Sequence, residues 1–244
     1  MTLTKDKIVS FVWQHLLLLF SLFLMTMGVA LCVRSALGSS VISSLPYVFE
    51  SAGASGLMPT LTIGQHTYIM NFVFVLLQIL VLRKKFEPVQ LFQLVIGFVF
   101  GALIDVNMEL TSFLIPTEYV GKTILQIAGC SVMGFGIALE VRCGSVTMPG
   151  EGLPVAICRV IKAPFATVKI FFDTFIVVCA VIMCYVYFGE WLWYIVGPGT
   201  LFAMVYVGIC VRFFDKRLKW FDKVLCYRPG FRRYIYGLAR YLFK

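Results

Sequence analysis

One heptapeptide occurs twice in this chain. Gly28-Val-Ala-Leu-Cys-Val-Arg34 returns as Gly136-Ile-Ala-Leu-Glu-Val-Arg142, and the same offset of 108 residues carries Leu45-Pro46 onto Leu153-Pro154 without a gap. Apolar composition alone yields matching Leu and Val. It does not easily yield a shared Arg and a shared Pro at one spacing in hydrophobic surroundings. Duplicated membrane units are a common plan for transporters, with the binding site at their junction. The repeat therefore directs attention to that junction.

The surroundings of the repeat are those of a membrane protein. The chain is 60% hydrophobic and 14% charged, with a mean hydropathy of +0.92. A soluble domain carries about 25% charged residues. Apolar runs long enough for a hydrocarbon core of roughly 30 Å recur along the chain. They are continuous rather than alternating, which argues against a β-barrel. The fold class expected is all-α and polytopic, with six spans near 10–33, 61–82, 89–114, 121–141, 164–188 and 191–211. The first run follows Lys5 and Lys7 in the manner of a signal peptide. It is too long for one and carries the repeat at its end, so it reads as a retained span.

Lys and Arg alternate between connections. The basic ones hold Lys5 and Lys7, then Arg83, Lys84 and Lys85, then Arg142, Arg159, Lys162 and Lys169, then ten residues beyond position 211. The other connections hold Arg34 and Lys122. Six spans with both termini cytoplasmic satisfy this pattern. Each copy then holds three spans, an odd number, so the second enters the membrane upside down. The expected units are a first membrane repeat (1–114), an inverted second repeat (115–211) and a basic tail (212–244). Eight full crossings would make the repeats parallel instead, and the loop charges oppose that. Further along, Asn71 matches Asp173 and Gly97 matches Gly199 at an offset of 102.

Between the first and second spans of each copy lies a half-polar interval. One reads Ser39-Ser-Val-Ile-Ser-Ser-Leu-Pro46 and the other Ser145-Val-Thr-Met-Pro-Gly-Glu-Gly-Leu-Pro154. Proline suits a first helical turn, and Ser43, Ser44 and Gly152 can cap it. Each interval reads as a short re-entrant helix whose free N–H groups favour anions; an ordinary surface loop is the plainer alternative. Arg34 and Arg142 end their apolar runs, where they either snorkel or meet an anionic ligand or carboxylate. Asp105 is a candidate partner for Arg34. Asp173 lies about 10 Å inside the fifth span, so it is either an ion-coupling group or half of a structural pair. Glu151 is a proton carrier if its loop lies in the membrane and a helix cap if it does not. Glu140 reads as an interfacial charge, and His15 and His66 receive no role. The expected substrate-binding residues are Arg34, Arg142, Ser43, Ser44, Asn71, Gly150 and Gly152. The expected ion-coupling residues are Asp173, Glu151 and Asp105.

Residues 212–244 carry ten Lys and Arg against two Asp, a net of +8 in a chain of +9. Phe214, Leu218, Phe221 and Leu225 form one apolar series, and Phe231, Ile235, Leu238 and Leu242 another. Two amphipathic helices on anionic inner-leaflet lipid account for this charge better than nucleic acid does. Gly97-xxx-Gly101 suits close helix contact, including a homodimer. The eight cysteines show no metal or disulfide spacing and read as small apolar residues. No nucleophile–base set, phosphate loop or metal motif occurs, so neither an enzyme nor a cofactor is expected.

The duplicated Gly-x-Ala-Leu-x-Val-Arg with its following Leu-Pro, and the segment Val146-Thr-Met-Pro-Gly-Glu-Gly152, resemble the YczE/YitT-type bacterial membrane proteins. The resemblance covers most of residues 10–215 and not the basic tail. It implies a bacterial inner-membrane protein of five or six helices and supplies no substrate. From the residues, the expected function is a small secondary transporter or exporter of an anionic or zwitterionic solute. A non-transporting scaffold that holds lipid or a partner through its tail is the alternative.

Overall fold

The computed structural model describes residues 5–226, 234–236 and 240, with side chains from residue 8 onward. The helices are α1 (Lys5–Ser35), α2 (Val41–Ala54), α3 (Ile63–Leu82), α4 (Phe92–Leu110), α5 (Tyr119–Cys143), α6 (Pro149–Ile161), α7 (Phe165–Phe188), α8 (Pro198–Asp215) and α9 (Lys219–Leu225). No strand occurs among the described residues. Six of the helices, α1, α3, α4, α5, α7 and α8, are long and apolar enough to cross a membrane. The described chain is therefore all-helical, with six helices that could span a membrane. The 14 residues of α2 and 13 of α6 reach only about 20 Å each, too short to span as helices.

The repeat is visible in where helices stop and start. α1 ends at Ser35 and α5 at Cys143, and the next residues, Ala36 and Gly144, are both left-handed, with φ of 54° and 66°. α2 and α6 then begin at Val41 and Pro149. Each of these pairs keeps the heptapeptide's offset. The change of offset falls after the short helices: residues 55–62 connect α2 to α3, whereas 162–164 suffice between α6 and α7.

Two expectations are corrected. Pro46 and Pro154 are not in first turns; they lie inside α2 and α6, which begin five residues earlier. Ser43, Ser44 and Gly152 are therefore helical residues, and Ser40 and Met148 hold the N-cap positions. A proline here removes one helical bond, that to the carbonyl of Ile42 or Gly150, which a short packed helix tolerates. The sixth span begins at Pro198 rather than near residue 191. Gly197 and Pro198 stop the apolar stretch 191–196 from joining the helix, because Pro lacks the N–H and fits only the first turn.

The long helices alternate in direction. The start of α1 meets the end of α5, where Gln14 Nε2 donates to Cys143 O at 2.7 Å. The end of α1 meets the end of α4, where Arg34 Nη2 donates to Met108 O at 2.7 Å. Gly64 N near the start of α3 donates to Asp105 Oδ1 near the end of α4 at 2.9 Å. The end of α5 meets the end of α8 through Arg142 Nε and Asp215 Oδ1 at 3.0 Å. One end of the bundle thus gathers Arg83, Lys84, Lys85, Arg142 and α9. It is called the basic end below.

At the centre α1 and α5 cross antiparallel, and they make one contact twice with roles exchanged. A Cβ built on Gly28 would lie 2.6 Å from Gly129 O and from Met133, and one built on Gly136 would lie 2.7 Å from Met25 and 3.0 Å from Ser21 O. The repeat pairs Gly28 with Gly136, Met25 with Met133 and Ser21 with Gly129. Cys32 and Cys130 bring their Sγ atoms to 3.8 Å at the same crossing. α4 packs on α1 and α8 on α5. The short helices cross over: α2 packs on α7 as well as α3, and α6 on α3 as well as α7. The two halves interlock rather than standing side by side.

Symmetry fails in the packing of the second and third long helices of each half. α3 and α4 lie backbone to backbone, with Gly64 against Gly101 and Gly97 against Asn71, while α7 and α8 have little mutual contact. The Gly97-xxx-Gly101 face is thus occupied within the chain. The start of the tail also docks on the bundle. Leu218, Phe221 and Leu225 are buried, and Trp13 Nε1 donates to Val224 O at 3.0 Å. Gln14 bonds Tyr234 at both ends of its amide. Trp220 and Val224 remain exposed. Of the second apolar series, Phe231, Leu238 and Leu242 lie outside the described residues.

Candidate functional site

The first turns of α2 and α6 approach each other. Ile42, second in α2, touches Gly150, second in α6, and these are repeat mates. Around them Leu45, Met70, Phe74, Leu153, Phe172 and Ile176 form one apolar cluster. This cluster also consists of mates: Leu45 with Leu153, Met70 with Phe172, and Phe74 with Ile176. The junction itself is apolar, and polar groups flank it on both sides.

Toward the basic end, the first turn of α6 is surrounded by buried polar side chains. Glu140 of α5 accepts from Met148 N at 3.3 Å through Oε1. Gln78 of α3 donates to Gln93 of α4 at 3.0 Å. This amide pair lies against Gly152, where a Cβ would sit 2.7 Å from Gln93 Oε1 and 3.0 Å from Gln78 Oε1. Lys169 and Asp173 pair at 2.8 Å on α7, within electrostatic reach of Glu151. Glu151 in turn is within reach of Glu140. Four side-chain atoms here are buried without a hydrogen-bond partner: Gln78 Oε1, Gln93 Nε2, Glu140 Oε2 and Thr147 Oγ1. Each such atom costs about 1–3 kcal/mol. Water or a polar ligand can meet such atoms.

The mate of this region, around the start of α2, is satisfied. Ser35 Oγ donates to Gln126 Oε1 at 2.7 Å, and Gln126 Nε2 donates to Gly199 O at 2.9 Å. Ser39 Oγ donates to Ile195 O at 3.0 Å, and Ser40 and Ser43 bond each other at 2.7 Å. The link before α2 needs glycine, because Gly38 has φ 126° and a Cβ there would strike Thr200 at 2.6 Å. Glu140, Thr147 and Glu151 at one tip thus correspond in the repeat to Cys32, Ser39 and Ser43 at the other. Equivalent positions carry charge at one tip and small neutral groups at its mate.

The other expected residues distribute as follows. Arg34 bonds Met108 O, keeps Nε buried without a partner, and lies within electrostatic reach of Glu50 and Tyr47 on α2. Asp105 is not its partner: it accepts from Thr62 Oγ1 at 2.7 Å and Gly64 N at 2.9 Å, fastening the start of α3 to α4. Arg142 is engaged by Asp215 and Asp222 and also donates to Asp215 O. It ties α5 to α8 and α9. Ser43 and Ser44 donate to backbone carbonyls of their own helix, Ser40 O and Val41 O. Asn71 is fully buried with both amide atoms unpartnered, facing Gly97. Asp173 has its structural partner in Lys169.

Gln78 and Gln93 were missed in the sequence, and Glu140 was read as interfacial. Their only signal was a lone polar residue in an apolar helix, which carries weight at membrane depth. An open apolar cleft of about 400 Å³ also lies at the basic end, lined by residues such as Phe11, Val89, Phe92 and Tyr236.

Comparison with known proteins bears on this arrangement at the level of the whole chain. The family whose pattern matches residues 12–216 is described as a family of unknown function, DUF6198. An uncharacterized protein of Haemophilus influenzae is 26% identical over 201 residues, covering 81% of each chain. No solved structure matches.

Proposed function

We propose that this chain, which belongs to that family of unknown function, DUF6198, is a small secondary transporter for a zwitterionic or anionic solute. Its halves are inverted repeats, and α2 and α6 are re-entrant helices whose tips meet near the bilayer midplane. The observation that carries this reading is the set of buried, unpartnered polar atoms around the first turn of α6. A bundle that only fills the membrane gains nothing by burying them.

The reciprocal contact of Gly28 and Gly136 supports the inverted arrangement. Antiparallel helices that exchange identical contacts are related by a two-fold rotation perpendicular to their axes. With the helices along the membrane normal, that axis lies in the membrane plane. The positive-inside rule makes the basic end cytoplasmic. The resemblance to YczE/YitT-type proteins supports a bacterial inner membrane.

Distance limits how the solute binds. Ser35, next to Arg34, bonds Gln126, and Glu140 follows 14 residues later on α5, roughly 21 Å along the axis. No small zwitterion spans both ends. Arg34 would receive its anionic group at the far mouth and the Glu140–Glu151 region its cationic group at the basic end, one at a time. The apolar cluster between them is the barrier that rocking of the halves would open. An anionic solute held by two arginines loses support, because Arg142 is already matched by two aspartates.

The apolar junction also favours the second reading, a non-transporting scaffold. The docked tail and the Arg142 network fit it too. Counterflow in proteoliposomes with a panel of zwitterionic and anionic solutes separates the two. Transport predicts saturable uptake that Arg34→Ala abolishes and Arg142→Lys spares. Absence of uptake for the whole panel, in native protein and variants alike, favours the scaffold.

A further inference from the structure

Gln78 of α3 and Gln93 of α4 meet against the first turn of α6. Gln78 Nε2 donates to Gln93 Oε1 at 3.0 Å, and both residues are 0% exposed. Contact with α6 is direct: a Cβ on Gly152 would lie 2.7 Å from Gln93 Oε1, 3.0 Å from Gln78 Oε1 and 3.2 Å from Gln78 Nε2. One bond does not satisfy two amides. Gln78 Oε1 and Gln93 Nε2 are buried without a partner. Exchanging oxygen and nitrogen in both side chains keeps one bond and again leaves one acceptor and one donor open.

The fold does not need amides here. At the repeat's offset of 102, Gln78 corresponds to Ala180 and Gln93 to Ile195. Those two are also fully buried, in one apolar cluster with Val48 of α2, and α2 is the mate of α6. The same niche is thus closed by apolar side chains in one half and by half-bonded amides in the other. Open amide atoms lower stability, whereas apolar groups of similar shape do not. Polar groups kept against that preference argue for a ligand.

The pattern of open atoms selects the ligand's chemistry. A bare cation meets Gln78 Oε1 but is faced by the N–H groups of Gln93. A bare anion meets Gln93 Nε2 but is faced by Gln78 Oε1. A group that donates and accepts at once, a hydroxyl or a carboxamide, satisfies both. We propose that Gln78, Gln93 and the first turn of α6 form a binding notch for such a neutral group, and that this notch decides which zwitterion the protein takes. The group enters when the first turn of α6 lifts from the amides. Residue 152 being glycine, that turn withdraws no side chain from the notch. The role in choosing a transported solute rests on the transporter reading; binding at the notch does not.

Thermal unfolding of the full chain in nanodiscs, read by tryptophan fluorescence, tests the notch with amino acids matched in shape. L-asparagine should raise Tm, and L-leucine and L-aspartate at the same concentration should not. L-serine should raise it where L-alanine does not. Gln78→Leu with Gln93→Leu should by itself hold or raise Tm, and should abolish both responses. Gln93→Glu, which keeps the shape, should weaken half-saturation by L-asparagine about tenfold, the loss of one buried hydrogen bond. No response to L-asparagine and L-serine, equal responses to L-leucine or L-aspartate, or responses that survive in the double variant overturn the proposal. A double variant much less stable than the native chain also overturns it, since the amides are then a structural pair. Binding without counterflow refutes transport alone. Counterflow with no preference for L-asparagine or L-serine in binding refutes the notch alone.

Discussion

Gly28→Ala tests the α1–α5 crossing on which the arrangement of the halves rests. The added Cβ would lie 2.6 Å from Gly129 O and from Met133 N and Cβ, against 3.4 Å where ordinary contact begins. Two of these are backbone atoms, which cannot rotate away. The helices must part by about 0.8 Å, a gap that forfeits a quarter to a half of the dispersion well for each pair of atoms it separates. Overpacking of this kind costs about 1–3 kcal/mol, and the seam runs most of the length of a 31-residue helix. Alanine returns at most about 1 kcal/mol of helix propensity. The net loss expected is about 1 kcal/mol, or roughly 2–4 °C in Tm for a chain of this size. Gly136→Ala should lose a similar amount, because it drives a Cβ 2.7 Å from Met25 N. The double variant should lose less than the sum, because both substitutions open one seam. Gly208→Ala in α8 is the control: nothing lies within 4 Å of its added Cβ, so stability should hold or rise. Intrinsic fluorescence of the four tryptophans in nanodiscs, at one scan rate, reads all four variants. Gly28→Ala as harmless as Gly208→Ala would refute the packing argument.

Arg142→Met should cost about 1 kcal/mol, because both aspartates it engages are about half exposed and such pairs are screened; the loss should shrink at high salt in thermal unfolding. Cys32 and Cys130, whose Sγ atoms are 3.8 Å apart, should form an oxidative crosslink that holds the two halves together after cleavage at a protease site inserted in 111–118. Separation of the fragments without reductant, in protein lacking the other cysteines, would count against the crossing. Gly152→Ala should lower flux more than it lowers Tm, since the Cβ meets only the side-chain amide ends of Gln78 and Gln93; an unchanged transport rate would remove α6 from the path.

Much of the frame was legible because lipid imposes it. Uninterrupted apolar runs specify helices long enough to span, and the duplicated heptapeptide located the ends of α1 and α5 to within two residues; the starts of α2 and α6 fall five residues before the prolines that were expected to open them. The sixth span was misplaced because residues 191–196 are apolar for another reason. Leu192, Ile195 and Val196 are buried under α2 and α7 rather than helical. Arg142 was misread because its partners, Asp215 and Asp222, lie 73 and 80 residues away, in a tail whose basic excess hides them. Gln78, Gln93 and Glu140 come from three helices with no shared spacing, so only the fold unites them. Glu151 was legible because its repeat mate, Ser43, is small and uncharged.

Solvent access at two repeat mates tests the central claim most directly. In a background without native cysteines, Ser43→Cys and Glu151→Cys would be probed in sealed vesicles of both orientations with a membrane-impermeant maleimide. Opposed halves around a polar path predict that the two positions react from opposite faces, with Glu151→Cys reacting from the side of the basic end. Reaction of both from one face, or of neither from any, would contradict the account.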